Sequence, residues 1–443
     1  MEEIKYRKED EMKDSGIQWL GKIPKQWEEK KLRYISSIET GNKDTQDKVD
    51  DGIYPFFVRS DTVESINSYS YNGEAILTAG DGVGVGKVFH YIKGKFAFHQ
   101  RVYKLSDFKK VKGKYLYYYV SENFHKEVLK LSAKSTVDSL RRPMFSNFII
   151  AHPKELEQQK IANFLDIKTS QFDSIILKKE KLIEKLEEAK KSLISELVTG
   201  KVKIVDGEMV ERKPEEMKDS GIEWLGMIPK DWKTTKIKNN TYVKGRIGWQ
   251  GLRSDEFIDE GPYLVTGTDF ENNNINWDRC YHVSEKRYKE APSIHLKNGD
   301  LLITKDGSIG KLAIVENCPE KATLNSGIFV TRCTNNEYLT KYMFYLLSSK
   351  VFDTYIDIKS TGSTIQHLYQ HTFVNFKYTI PYIKEQQVIV EFLNKKIEII
   401  DLLITKTKTQ IQKLKEAKQS LISEVVTGKI DLRDWEIREE DVV

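Results

Sequence analysis

The sequence predicts an α+β protein with two similar globular heads, each built on a curved β-sheet, and two long helices that pair as a coiled coil. Three observations predict it. The phrase "KDSGIQWLGKIPKQW" begins at Lys13 and returns at Lys218 as "KDSGIEWLGMIPKDW". A longer block, "EQQKIANFLDIKTSQFDSIILKKEKLIEKLEEAKKSLISELVTGK" from Glu157, returns from Glu385 as "EQQVIVEFLNKKIEIIDLLITKTKTQIQKLKEAKQSLISEVVTGK". Between short and long block lies a segment that differs in the two halves and is longer in the second. A period of this size exceeds that of solenoid units, roughly 20–50 residues, so the chain is a two-fold internal duplication.

The long blocks read as helices. Slots spaced alternately four and three residues fall on Ile161, Leu165, Lys168, Phe172, Ile175, Lys179, Leu182, Leu186, Ala189 and Leu193, mostly apolar. In the second copy they fall on Ile389, Leu393, Lys396, Ile400, Leu403, Thr407, Gln410, Leu414, Ala417 and Leu421. No proline interrupts either block, and Gly200 and Gly428 follow where a helix should stop. Forty-odd residues at about 1.5 Å rise span roughly 60 Å. So narrow a seam on so long a helix needs a partner helix, and the other copy is the simplest one. The expected interface is Phe172, Ile175, Leu182, Leu186 and Leu193 against Ile400, Leu403, Leu414 and Leu421. The alternative lays each helix on its own head, and the narrowness of the seam over several heptads argues against it.

The differing segments look globular. "AILTAGDGVGVGKVFHYIKGKFAFHQRVYKL" and "GDLLITKDGSIGKLAIVENCPEKATLNSGIFVTRC" alternate strand-like runs with glycine turns. Each leads into a helical stretch, "GKYLYYYVSENFHKEVLKL" or "NEYLTKYMFYLLSSKVFDTYI", and then a polar loop. The aromatic run at Tyr115 is read as core rather than as a platform for stacking bases. The expected divisions are residues 1–156 and 217–384 for the heads and 157–200 and 385–428 for the helices. Residues 201–216 are expected as a linker and 429–443 as a tail.

Composition narrows the class. A chain of 443 residues with 39% hydrophobic and 11% aromatic residues can fill real cores. Cys280, Cys318 and Cys333 lack the spacing of a zinc knuckle and fit a reducing cytoplasm. The charged N-terminal stretch "MEEIKYRKEDE" is no signal peptide, and no apolar run approaches the ~18 residues of a membrane span. Formal charge is only +5, but residues 20–150 carry 22 Lys and Arg against 15 Asp and Glu. That excess fits either a polyanion site or a solvated basic surface.

Motifs for chemistry are missing. In "GDGVGVGKVF" a phosphate loop ending at Lys87 would need glycine in place of Asp81 and Ser or Thr in place of Val88. The dinucleotide fingerprint fails at Val85 and Lys87. His367 and His371 stand four apart without a nearby acid or thiol, so a polar loop is the better reading than a metal site. No two prolines are adjacent, which excludes the Asn/Asp-Pro-Pro-aromatic tetrad of amino-methyltransferases. The chain is expected to bind no metal or cofactor and to catalyse nothing alone. Two divergent heads held apart by paired helices suit a duplex with two half-sites about 34–36 Å apart.

Over nearly its whole length the chain resembles the specificity subunit of type I restriction–modification systems. The resemblance rests on "WLGKIPKQW" and "WLGMIPKDW", on "GDGVGVGKVFHYIKGKFAFHQRVYKL", and on "GDLLITKDGSIGKLAIV…ATLNSGIFV". It continues through "STGSTIQHLYQ" and the twin helical blocks, all in family order. It implies that the heads are target-recognition domains, each reading half of a split, asymmetric double-stranded DNA site. It also implies an antiparallel coiled coil with pseudo-two-fold symmetry that sets the gap and docks two methyltransferase subunits. Those partners would bind S-adenosylmethionine and methylate adenine. Two restriction motor-nuclease subunits, using ATP and Mg, would add cleavage. No membrane partner is implied. "GSTIQHL" at Gly362 faces "VDSLRRP" at Val137, so a contact loop inferred in one head is not to be copied onto the other.

Chemistry and resemblance together nominate DNA contacts. In the first head these are Lys87, Gln100, Arg101, Arg141 and Arg142, which can reach phosphate or guanine edges. In the second they are Lys305, Ser308, Lys311, Asn325, Ser363, Gln366 and His367. Gly82, Gly84, Gly307 and Gly310 either admit DNA backbone or simply close hairpins, and Arg101 could instead pair with a carboxylate. Two rival classes are a self-contained methyltransferase or nuclease, and a coiled-coil scaffold that joins proteins without reading DNA.

Overall fold

The computed structural model describes residues 5–82, 84–131, 139–247, 251–360 and 367–438. The chain divides into two compact units, residues 1–180 with 408–443, and residues 181–407. Each holds one head and part of both long helices, Glu155–Val198 and Ile383–Val426, which are 44 residues each. Both helices begin two residues before the expected boundaries.

The first head is built on a six-stranded sheet. Its order is Ser37–Thr40, Val102–Ser106, Tyr71–Ala79, Phe89–Phe98, Tyr54–Phe57, Val63–Ile66. Pairing is antiparallel except between Tyr54–Phe57 and Phe89–Phe98. Helix Gly113–Leu131 covers this sheet. Tyr115 and Tyr119 are fully buried, and the Tyr115 hydroxyl donates to the Ala151 carbonyl at 2.6 Å. The aromatic run is therefore core, as expected. A buried tyrosine keeps its place because its hydroxyl finds an acceptor.

In the second head the strands divide between two sheets. One runs Thr241–Gly245, Ile328–Cys333, Leu301–Thr304, Leu312–Ile314; the other runs Tyr281–His282, Ile258–Val265, Ala322–Leu324. The pair Ile258–Val265 with Ala322–Leu324 is parallel. Helix Thr340–Leu347 is buried along Tyr342–Leu347. The α+β class holds for both heads.

The repeated phrase has a structural explanation. Each copy folds as a hairpin, Met12–Asp14 with Lys22–Pro24 and Met217–Asp219 with Met227–Pro229. A buried tryptophan follows, and its indole N–H donates to the start of the adjoining long helix, Trp27 to Glu157 at 3.3 Å and Trp232 to Glu385 at 3.1 Å. The same side chains crowd the end of the other long helix. A Cβ on Gly428 would lie 2.5 Å from Pro24 and 2.8 Å from Trp27, and one on Gly200 would lie 2.4 Å from Pro229. Both glycines also sit at positive φ, so the helix stop and the tryptophan dock are one requirement.

Residues 201–216 are more than a linker. Val202–Val205 pairs with Glu208–Glu211, the Arg212 N–H reaches the Lys201 carbonyl at 2.9 Å, and the Arg212 guanidinium pairs with Glu385 at 2.5 Å. The first unit closes the same junction from separate stretches. Tyr6 bridges Ile430, the Arg7 N–H reaches the Lys429 carbonyl at 2.9 Å, and Arg7 pairs with Glu157.

The coiled-coil seam corrects three of the nine expected interface positions, Ile175, Leu182 and Leu403. Within the first unit Asp173 pairs with Lys418 and Glu180 with Lys415, so numbers rise along one helix as they fall along the other. The pairing is antiparallel. Leu165, Phe172, Leu186, Leu193, Leu393, Ile400, Leu414 and Leu421 are buried or half-buried, as expected. The alternate series is displaced by one residue. Ile175, Leu182 and Leu403 are 43%, 45% and 45% exposed, while Ile176 and Ile404 are 7% and 8% exposed and Ile183 is half-buried. The heptad steps forward four from Leu165 to Thr169 and from Phe172 to Ile176, where three was assumed. Adjacent apolar pairs such as Ile175–Ile176 cannot choose the phase. Polar members disguise it further: the Thr169 hydroxyl is satisfied by the Leu165 carbonyl at 2.6 Å, and Lys190 and Lys418 by ion pairs.

Candidate nucleic-acid interface

In the first head the turn after Tyr71–Ala79 begins with Gly80, Asp81 and Gly82, the last at φ +79°. The Asp81 carboxylate accepts from Arg59 at 3.1 Å and from Arg101 at 2.9 Å. The sequence left Arg101 open between DNA and a carboxylate, and here the carboxylate holds it. Two guanidiniums on one carboxylate still leave one positive charge. Arg59 and Arg101 are 47% and 64% exposed on their side chains, whereas Asp81 is only 17% exposed. Gln100 donates to Asp44 at 2.7 Å. His99 beneath them is buried, and its Nδ1 accepts from the Arg101 N–H at 3.0 Å. Burial, helped by Arg59, holds its pKa down, so the ring stays neutral.

A second stretch is stitched to this turn by its backbone. The Leu140 N–H donates to the Gly80 carbonyl at 2.7 Å, and Ser139 bridges Asp81. That contact brings Arg141 and Arg142, both exposed, to the turn that carries exposed Lys87. All five first-head candidates thus lie on this turn or on segments bonded to its start at Gly80. Lys87 has no carboxylate within 4 Å among the described residues.

The second head repeats the stitch with different side chains. The Leu368 N–H donates to the Lys305 carbonyl at 2.8 Å, and His367 bridges Asp306. The Asp306 carboxylate pairs with the His367 ring at Nδ1. The turn continues through Gly307 and Gly310, at φ +66° and +84°, to exposed Lys311. The Thr304 hydroxyl closes it, donating to the Ser308 carbonyl at 2.5 Å and accepting the Lys311 N–H at 3.0 Å. Lys305 places its ammonium 5.1 Å from the Phe329 ring centre, and its backbone N–H donates to the Gly327 carbonyl at 2.8 Å. Asn325 is half-buried and caps its own turn through the Ser326 N–H at 2.7 Å. Lys305, Ser308, Lys311, Asn325 and His367 thus sit on or beside this turn. Ser363 and Gln366 lie outside the described residues.

Three residues of the patches were missed: Arg59, Asp81 and Asp306. A signal for the aspartates was present. "DGVGVGK" from Asp81 and "DGSIGK" from Asp306 match at Asp-Gly and Gly-Lys, one residue apart in length, which aligns Lys87 with Lys311. Arg59 carried no such signal, since it reaches Asp81 from a separate connection. Among the described residues no three His, Cys, Asp or Glu side chains form a group that could hold a metal, and no helix is long and apolar enough to cross a membrane.

Comparison with known proteins identifies the family and the fold. Residues 24–188 and 229–413 each match the family described as the type I restriction modification DNA specificity domain. The chain is 25% identical over 389 residues to the type I restriction enzyme MjaVIII specificity subunit of Methanocaldococcus jannaschii, covering 87% of this chain and 84% of that one. It is 20% identical to the EcoDI specificity subunit of Escherichia coli, covering 96% and 93%. A solved chain described under complex assembly and conformational transition of the type I R-M system has the same fold. Its TM-score is 0.61 at 12% identity, covering 92% of this chain and 99% of that one. Matched in both halves and over most of its length, the chain belongs to the type I restriction–modification DNA specificity family.

Proposed function

We propose that each head reads one half of a bipartite, asymmetric DNA target, and that the paired helices set the spacing and dock two adenine methyltransferase subunits. The observation that carries this reading is the repeated backbone stitch. Gly80–Leu140 and Lys305–Leu368 hold equivalent turns, each ending in an exposed lysine, while the side chains around them differ. Lysines at Lys87 and Lys311 supply sequence-independent phosphate contacts, and the unlike neighbours Arg59, Arg101, Arg141 and Arg142 against Asn325 and His367 supply the difference in readout. The chain itself is non-catalytic in this reading. S-adenosylmethionine is bound by the methyltransferase subunits, and ATP and Mg by two restriction subunits where these are present.

Replacing residues 33–150 with the matching segment of a relative tests the assignment, read by sequencing the methylated sites. One half of the target should change, with the other half and the gap retained. A simultaneous change in both halves would overturn it.

A further inference from the structure

The helix-facing wall of the head is built twice, and the second copy lacks one carboxylate. In the first unit the Lys114 ammonium lies 3.2 Å from Asp166 Oδ1, and the Tyr118 hydroxyl donates to the same oxygen at 2.6 Å. The second unit has Lys341 and Tyr345 on helix Thr340–Leu347, and the residue equivalent to Asp166, 228 positions on, is Asn394. The tyrosine contact survives, from the Tyr345 hydroxyl to Asn394 Oδ1 at 2.5 Å. The charge does not. An amide oxygen cannot neutralise an ammonium, and Lys341 has no carboxylate within 4 Å among the described residues.

Lys341 is also not a freely solvated lysine. It is half-buried, with its ammonium 4.9 Å from the ring centre of Phe344 and 5.8 Å from that of Tyr345. Burial pushes its pKa down; the Glu316 carboxylate, farther off than an ion pair, acts against this, and Lys190 adds to it. It lines a cleft of about 450 Å³ with Glu187, Lys190, Phe344, Asn394 and Glu398. Its neighbouring cations are already satisfied, Lys190 by Asp401 and Lys191 by Asp353.

We propose that this cleft receives a single carboxylate side chain, Asp or Glu, from the methyltransferase subunit that docks on the second unit, and that Lys341 pairs with it as Lys114 pairs with Asp166. The ligand class follows from the first unit, where the lysine equivalent to Lys341 is held by a single carboxylate, Asp166. Glu187 and Glu398 line the same cleft and disfavour any larger anionic charge, such as a polyphosphate backbone. The first unit makes the same contact with its own chain, so the two docking positions differ in kind. This inference rests on the docking part of the function proposed above.

The test uses the full chain with its methyltransferase subunit, with stoichiometry and affinity measured by mass photometry and titration. Lys341→Met removes the cation, and Asn394→Asp supplies the carboxylate from within the chain. Each should weaken one of the two docking events by roughly tenfold, the size of a charge-assisted contact, and leave the other unchanged. Asn394 is exposed, so its variant carries the test if Lys341→Met fails to fold. In the wild-type chain, the side-chain NMR signal of Lys341 should titrate at higher pH once the subunit is bound. Two variants that bind both subunits with wild-type affinity would overturn the inference alone. A wild-type chain that forms no complex would overturn the docking reading as well.

Discussion

The Lys190 ammonium donates to both carboxylate oxygens of Asp401, at 2.7 and 2.8 Å, across the two long helices. The duplication repeats the pair as Lys418 with Asp173, at 2.7 Å to each oxygen. Each lysine occupies a seam position that an apolar residue would fill more favourably. Partly exposed pairs of this kind contribute little stability, about 0–1 kcal/mol, but a polar residue in a seam specifies register.

The register role predicts a charge-swap result. Lys190→Asp should lower stability by on the order of 1 kcal/mol, a shift of about 2–4 °C in Tm for a unit this size. Adding Asp401→Lys should restore most of it, because the pair is re-formed in reverse. Thermal unfolding of both variants checks this. A double variant no better than the single one would remove the pair from the account of register.

Adjacent isoleucines should separate cleanly. Ile176→Ala removes a buried seam side chain and should cost about 2–4 kcal/mol, whereas Ile175→Ala, on the exposed flank, should cost under about 1 kcal/mol. Urea unfolding of the chain without partners is the measurement. Equal costs would return the seam to the phase first read from the sequence.

The matched lysines should act on every duplex alike. Lys87→Ala or Lys311→Ala should weaken binding regardless of sequence and reduce the salt slope by about one. Asp81→Asn should do the opposite, since it frees Arg59 and Arg101 from their shared carboxylate. Binding isotherms on random and target duplexes at several salt concentrations report both effects. An altered sequence preference with an unaltered slope would assign the lysine to base readout.

Asp431 gives a pH prediction of known sign. Hydrogen bonds from Arg433 lower its pKa to about 2 from the usual 3.8. A depressed carboxylate pKa contributes stability that is present above pH 4 and lost as pH falls through 2. The Tm difference between wild type and Asp431→Asn should therefore be full at pH 5 and smaller at pH 2.5. A difference that stays constant over that range would show that the ion pair is not its source.

Much of the fold was legible because repetition is a property of the string itself. The two blocks, the helix stops at Gly200 and Gly428, and the mixed heads needed only pattern and turn chemistry. The phase of the seam was not legible, because Ile175–Ile176 and Leu403–Ile404 offer an apolar residue to either reading. The choice depended on how Thr169, Lys190 and Lys418 would be satisfied, which is a three-dimensional question. At the candidate interface, lysine and arginine types marked the turns. Asp81 and Asp306 were marked only by the shared Asp-Gly and Gly-Lys of their turns, and Arg59 emerged only once separate connections met, since a salt bridge leaves no mark on residue spacing.

The stitch common to both heads is a main-chain hydrogen bond between turn and loop, Leu140 to Gly80 and Leu368 to Lys305. Every amino acid other than proline offers the same N–H, so the bond is indifferent to what the neighbouring side chains become. Folding and recognition are thereby inherited through different atoms. Drift in the exposed side chains around the stitch costs the head little of its structure, and if those side chains read DNA as proposed, new specificities can arise on a scaffold that does not have to be rebuilt for each of them.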